Sequence, residues 1–435
     1  MSSPPPSQRV VITGIGLVSP SGNSAEELWA NLSAGHSSAA IGATAPAGCG
    51  PIQVASESSF TGSIKEFGEL QDGVKKAIRK ALKLMCRETQ MAVAAAQLAI
   101  ADAAVKTEDH KPEASGVVIG SDYMLTMPED CVRGVQKCTQ EGKFRFTQWG
   151  DQGLAEVEPL WMLRYLPNMP ASHIAIFNDH RGPNNSLTMR EASGLMAIGE
   201  AARIIARGHA QLMVAGATGT RLLPMQAIHV AQTEQLAKAG DDPATASRPF
   251  DKSRTGMVPG EGAATLVLES LESAQTRGAT IYGEVLGFGS SQVTDAKLQG
   301  RNDKALATAM KAALADASLK PAEVGHINAH GLATTKGDIA EAQAIASVFG
   351  EHPVPVTALK SYFGNLGAAS GVVELIGSLM ALKYDSLPRI LNYRTPDPAC
   401  PITAATESGA SPGDSFVSTN ATPQGQAVAV VVGRV

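Results

Sequence analysis

Three polar residues stand at places in this chain where the local sequence promises a defined orientation. Glu191 immediately precedes an Ala-Ser-Gly run that opens an apolar helical stretch, so its carboxylate lies where a helix macrodipole favours negative charge. His330 lies in Asn-Ala-His-Gly, at the end of the strand-like run VGHINAHG (324–331). Asn365 lies in KSYFGNLG, just ahead of a second Ala-Ser-Gly. By type, a carboxylate can serve as a general base, an imidazole can carry a proton, and an amide can orient a carbonyl oxygen. The role of base requires a Glu191 pKa raised by burial, against the lowering expected from the dipole, and the sequence does not decide which prevails. Asn365 can donate a neutral hydrogen bond but carries neither a proton nor a charge.

The elements that must position these residues alternate in type. RVVITGIG (9–16) has the apolar run and terminal glycines of a buried strand, and Ala25–Ala34 follows with helical spacing. Alanine-rich helices over Met91–Ala104, Gly194–Arg207 and Gly371–Lys383 can approach their neighbours closely and suit a layered α/β core. The text also repeats itself. AAQLAIADAAV (95–105) leads to the strand SGVVIGS (115–121), as MKAALADASL (310–319) leads to VGHINAHG. EASGLMAIGEAARIIARG (191–208) is similar to AASGVVELIGSLMALKYD (368–385). Two matches in the same order indicate duplication. The wider spacing in the first half implies an insertion over about 121–168, holding Trp149 and Trp161 and little regular patterning. The expected organisation is a first half over 9–275 and a second over 276–435, divided near Thr276–Ala279 after the strand AATLVLE (263–269). Paired α/β halves predict a site at their junction, where helix N-termini converge.

Bulk properties narrow the function further. Of 435 residues, 44 % are hydrophobic and 18 % charged, a globular balance rather than a disordered one. A net charge of −5 supplies no positive excess for a nucleic-acid partner, and no apolar run is long enough to cross a bilayer. The opening MSSPPPSQ lacks the regions of a signal peptide and reads as a disordered lead-in over 1–8. Cys49, Cys86, Cys131, Cys138 and Cys400 are scattered without CxxC or Cys/His spacing, so neither a disulfide framework nor a metal site is expected, and a reducing cytoplasm fits.

With these pieces placed, the chain resembles an elongating β-ketoacyl-acyl-carrier-protein synthase. The landmarks are RVVITGIGLVSPSGNSAEELWANLSAG (9–35), RGPNNSLTMREASGLMAIGEAARIIARG (181–208) and RPFDKSRTGMVPGEGAATLVLE (248–269), then HINAHGLATTKGDIAEAQAIASVFG (326–350) and PVTALKSYFGNLGAASG (355–371), in family order. The resemblance implies an α/β thiolase fold of five layers, αβαβα, built from two pseudo-repeated halves. It implies a homodimer, or a heterodimer with an active ketoacyl synthase. It implies no cofactor beyond the phosphopantetheine arm of an acyl carrier protein, the expected partner. The family's chemistry needs five features, and most of them are altered in this chain. Glu191 replaces the nucleophilic cysteine, which carries the acyl chain as a thioester; a carboxylate adduct would be a mixed anhydride, less stable than the thioester it came from. His330 matches the first histidine that polarises the malonyl carbonyl, while Asn365 replaces the second. Lys360 is kept as electrostatic support, with Glu341 or Asp338 as its expected counter-ion. Of two pantetheine-binding threonines, Thr334 remains and Leu332 replaces the other. Pro423 falls where the family has a gating phenylalanine and its oxyanion-hole N–H, which proline lacks. Thr255 and Met257 stand where Asp and Phe are usual. The pattern is similar to that of chain-length factors, the cysteine-less partners of polyketide condensing enzymes. The expected function is a non-condensing partner of that kind. The alternatives are thioester decarboxylation or hydrolysis through Glu191 and His330, a stand-alone binder of acyl groups or acyl carrier protein, and the 3-oxoacyl-acyl-carrier-protein synthase that similarity alone would name.

Overall fold

The computed structural model describes residues 8–42, 52–106 and 109–435, so nearly all of the expected lead-in over 1–8, and Cys49, lie outside the described residues. The first half supplies five strands to the main sheet: β1 (Val10–Val18), β2 (Ser115–Ser121), β3 (Asn184–Leu187), β4 (Leu212–Thr220) and β5 (Glu261–Ser270). Their spatial order is β3-β2-β4-β5-β1, with β2 parallel to β3 and β4, and β5 antiparallel to β4 and β1. The second half supplies β6 (Gly283–Gln292), β7 (His326–Asn328), β8 (Pro355–Thr357), β9 (Thr403–Ala404), β10 (Ser415–Ala421) and β11 (Gln426–Gly433). Here β7 is parallel to β8 and β10, and β11 is antiparallel to β10 and β6, the same pattern with β9 added at the edge. The two half-sheets join where Val11 pairs with Glu284 and Ile12 with Gly283.

Nine of the helices are α1 (Ala25–Ala34), α2 (Asp72–Ala81), α3 (Arg87–Asp102), α4 (Pro128–Lys137), α5 (Met169–Asn178), α6 (Ser193–Ala206), α7 (Pro224–Thr233), α8 (Asn302–Asp316) and α9 (Thr335–Phe349). A further helix, α10 (Ser370–Tyr384), follows. Helices α3 and α5 pack on the outer face of the first half-sheet, and α8 and α9 on that of the second. Between the half-sheets lie α6 and α10, each touching strands of both. The result is five layers, αβαβα. A helix between two sheets must be apolar on all sides, and α10 is buried from Ser370 to Leu382. The Ala-Ser-Gly signature has a steric reason. A Cβ at Gly194 would sit 2.6 Å from the Ala368 carbonyl, and one at Gly371 would sit 2.2 Å from Asn420 Oδ1. Glycine alone permits that approach.

Two expectations change. The insertion is more regular than its composition suggested. It holds α4, begun by Pro128 with Glu129 and Asp130 in its first turn, a short antiparallel pair at Thr139–Gln140 and Lys143–Phe144, and a series of single turns. The strand expected over 324–331 is limited to β7, because the chain turns at Gly331 and Ala333, both with positive φ.

Candidate active site

Parallel neighbours β2 and β4 end on the same side of the sheet, as do β7 and β10. The chain leaving these strand ends meets the starts of α6 and α10 in one buried polar cluster, the location expected of an α/β site. Glu191, 1 % exposed, sits in the single turn Arg190–Ala192 that leads into α6. Arg190 adopts φ 52° there, a left-handed conformation that non-glycine residues hold at a cost and that is concentrated at functional sites.

Glu191 is ion-paired. Its Oε1 accepts from Arg221 Nη2 at 2.6 Å and from Asn365 Nδ2 at 3.2 Å, and its Oε2 lies 3.4 Å from Arg190 Nε. Arg221 follows β4, is fully buried, and also lies 2.9 Å from Asp122, which follows β2. Arg190 is paired in addition with Glu234. Burial pushes the Glu191 pKa up, but Arg221 and Arg190 outweigh it and hold the group at about 2. The contest the sequence left open is therefore decided by two guanidinium groups rather than by the dipole. Asp122 goes the other way: burial raises its pKa, Arg221 opposes this and Glu191 reinforces it. The two carboxylates share one guanidinium, and Glu191 holds its hydrogen bond.

The second half contributes a different set. Lys360 Nζ donates to the His330 carbonyl at 2.8 Å and lies 3.3 Å from His330 Nδ1 and 2.5 Å from Glu374 Oε1. Asn420 Nδ2 supports the other Glu374 oxygen at 3.0 Å. Burial, then the charge of Lys360, holds His330 well below its ordinary pKa, so the ring is neutral. With the ammonium donating to Nδ1, the ring proton belongs on Nε2.

The expected counter-ion of Lys360 is corrected: it is Glu374, in the second turn of α10, and neither Glu341 nor Asp338. Glu341 instead accepts the backbone N–H groups of His330 at 2.7 Å and Gly331 at 2.8 Å, together with the Thr419 hydroxyl at 3.0 Å, and so shapes the histidine loop. Asp338 accepts the Phe250 N–H at 2.7 Å and lies 3.6 Å from Arg254. Asn365 is buried as expected. Its amide nitrogen also lies 3.2 Å from Met257 Sδ, and its oxygen accepts from the Gly367 N–H and the Ser370 hydroxyl, each at 3.1 Å. Thr334 is buried at the N-cap position of α9, where its side chain makes no capping hydrogen bond, while Leu332 beside it is half-buried. Pro423 stands apart, exposed in the turn between β10 and β11 and packed by its carbonyl toward Gly300. Among the described residues no polar contact joins it to Glu191.

Sequence reasoning missed Arg190, Arg221, Asp122 and Glu374. Signals existed for three of them. Glu374 is the one acidic residue within α10, and Asp122 and Arg221 are charges placed directly after strands buried throughout.

Comparison with known proteins follows the same outline. Residues 7–274 match the family Beta-ketoacyl synthase, N-terminal domain, and residues 282–394 match Beta-ketoacyl synthase, C-terminal domain. The 3-oxoacyl-[acyl-carrier-protein] synthase 2 of Synechocystis sp. is 35 % identical over 404 residues, and that of Coxiella burnetii 34 % over 398, each covering 90 % of both chains. Among solved structures, a beta-ketoacyl synthase from Burkholderia phymatum superposes with a TM-score of 0.84 at 32 % identity, covering 98 % of this chain and all of that one. The ishigamide ketosynthase/chain length factor gives 0.81 at 27 % identity, covering 99 % of this chain and 100 % of that one. A type II polyketide acyl-carrier protein in complex with its ketosynthase bound to the hexaketide gives 0.81 at 26 %, with coverage of 99 % and 100 %.

Proposed function

The chain belongs to the beta-ketoacyl synthase family, and on that premise we propose that it is a non-condensing partner, resembling a chain-length factor, in fatty acid or polyketide synthesis. One observation carries the reading: the nucleophile position holds a carboxylate locked between Arg221, Arg190 and Asn365. Condensation by the family route needs a thiolate at that point, and the buried Cys86, whose thiol burial pushes upward in pKa, forms part of a different cluster beside Thr89 and Met124.

The scaffold around the site is kept. Glu341 still shapes the His330 loop, and Lys360 and Glu374 still brace it. A chain that retains this frame while closing its own reaction centre suits a role beside an active synthase, where the frame preserves the shape of a shared acyl site. Acyl groups would arrive on an acyl carrier protein. One of the structural neighbours is such a carrier with its ketosynthase, and α2 offers a docking face, carrying Lys76, Arg79 and Lys80 exposed to solvent with Lys75 beside them. Among the described residues no helix is long and apolar enough to cross a membrane.

Hydrolysis or decarboxylation through Glu191 is the weaker reading. A carboxylate held at a pKa of about 2 is a poor base at neutral pH. Ordinary 3-oxoacyl synthase activity, as in the named relatives, meets the missing thiol. The test is affinity isolation of the tagged chain from its own cells with identification of what co-purifies. A stoichiometric, cysteine-bearing ketoacyl synthase supports the proposal; a strict homodimer with no such companion contradicts it.

A further inference from the structure

We propose that Arg221 is a protective positioning residue, which ties up Glu191 so that an acyl thioester brought to this site is not hydrolysed. The inference rests on the reading above, that acyl thioesters reach the site, and adds a role for the ion pair itself. Glu191, His330 and Asn365 are by type a hydrolytic set, since a free carboxylate can take a proton from water while imidazole and amide N–H groups steady the carbonyl oxygen. In that reaction Glu191 removes one proton from water, the water oxygen bonds to the thioester carbonyl carbon, and the carbon–sulfur bond breaks. The departing thiolate then takes the proton from Glu191, leaving a free acid and a thiol.

The ion pairing opposes the first step: one carboxylate oxygen is hydrogen-bonded, and the other, which accepts no hydrogen bond, lies against a guanidinium. Glu191 Oε1 is occupied by Arg221 at 2.6 Å and Asn365 at 3.2 Å, and Oε2 faces Arg190 at 3.4 Å. Arg221 is fully buried against Asp122 and Tyr123, so it has no alternative solvent-facing position from which to release Glu191. The charged and titratable groups facing Glu191 are Arg221 from the end of β4, Asp122 from the end of β2, Arg190 with its partner Glu234, and His330 from the loop after β7. Of these, Arg221 supplies the shortest contact and the largest charge effect opposing burial. A buried carboxylate beside a thioester is a hazard to a pathway that stores growing chains as thioesters, and the guanidinium removes it.

The test uses the full chain and hexanoyl-pantetheine as the thioester, with thiol release followed between pH 4 and 8. Arg221→Ala should hydrolyse it on the order of 10- to 100-fold faster than the unaltered chain. The gain should rise with pH as Glu191 deprotonates, and it should vanish in Arg221→Ala/Glu191→Gln. Arg221→Gln, which keeps a neutral N–H donor on a shorter side chain and removes the charge, should show the same Glu191-dependent gain in smaller degree and serves if the alanine variant does not fold. Folded variants with no gain, or a gain that survives Glu191→Gln, overturn the proposal. Binding of the non-hydrolysable hexanoyl-pantetheine amide to the unaltered chain is measured alongside. Absent binding defeats the underlying reading, whereas binding without Glu191-dependent turnover in the variants defeats the protective role alone.

Discussion

Two buried charge clusters face each other across the junction of the halves, and the backbone beneath them is nearly the same. Ser193 at the start of α6 accepts the Met189 N–H at 2.6 Å, and Ser370 at the start of α10 accepts the Leu366 N–H at 2.8 Å. Each central helix is thus entered through the same turn, yet the side chains above differ in what they can do. The second-half cluster of Lys360, Glu374, Glu341 and His330 mainly holds backbone: the His330 carbonyl and N–H and the Gly331 N–H are all bound. The first-half cluster of Glu191, Arg221, Arg190 and Asp122 is held chiefly by charge. Glu191 Oε2, Asp122 Oδ2, Arg190 Nε and Arg221 Nε are buried there without a hydrogen-bond partner among the described residues. One cluster keeps the frame; the other, on the proposed reading, occupies the nucleophile position.

Breaking the two clusters should therefore have unequal costs. Lys360→Met leaves the carboxylate of Glu374 and the His330 carbonyl without their cation, and should destabilise the fold by about 3–5 kcal/mol in denaturant unfolding. Glu191→Gln keeps the shape and leaves Asp122 to balance Arg221, so its cost should be the smaller of the two. Equal costs would erase the distinction between frame and replacement.

Buried carboxylates of the two halves should also respond to pH with opposite signs. Glu191 has its pKa lowered on folding, so its stabilisation is complete above the ordinary carboxylate value near 4.5 and is lost as the pH falls toward 2. Asp338, beneath the His330 loop, is raised by burial from 3.8 to about 7 despite the Phe250 N–H and Arg254. Its folded state keeps a proton that the unfolded chain has released, so stability declines as the pH rises from about 4 to 7. Unfolding free energies measured from pH 3 to 8 should show a shallower acid-side loss in Glu191→Gln and a shallower neutral-side decline in Asp338→Asn, the remainder coming from groups such as Glu269, also lowered, and Glu88 and Glu374, also raised.

These differences explain what could be read from the sequence. The frame was legible because its signals are local. Ala-Ser-Gly marks the entry to each central helix, Asn-Ala-His-Gly marks a strand end, and the repeated order of strands and helices exposed the duplication. Glu191 and Asn365 were identified by their neighbours in those same motifs. Arg221 and Asp122 were not, because residues 122, 191 and 221 converge only when β2 and β4 lie side by side and parallel. The Lys360 counter-ion was misassigned for the same reason. Glu341 and Asp338 follow His330 closely in sequence, but α10 delivers Glu374 to the ammonium through the central layer.

The smallest expected effect concerns the outer surface. If α2 docks an acidic carrier, Lys76→Glu or Arg79→Glu should weaken carrier binding by about threefold each, with the difference shrinking as salt is raised. Titration at two ionic strengths checks this without disturbing either cluster.

The central claim is that the nucleophile position has been closed, and intact-protein mass spectrometry tests it most directly. The purified chain is incubated with acyl and malonyl carrier proteins, and both the chain and the carrier thioesters are weighed over time. The account predicts no acyl adduct on the chain and no condensed product on the carrier. An acyl-enzyme mass, or a β-ketoacyl carrier formed by this chain alone, would contradict it.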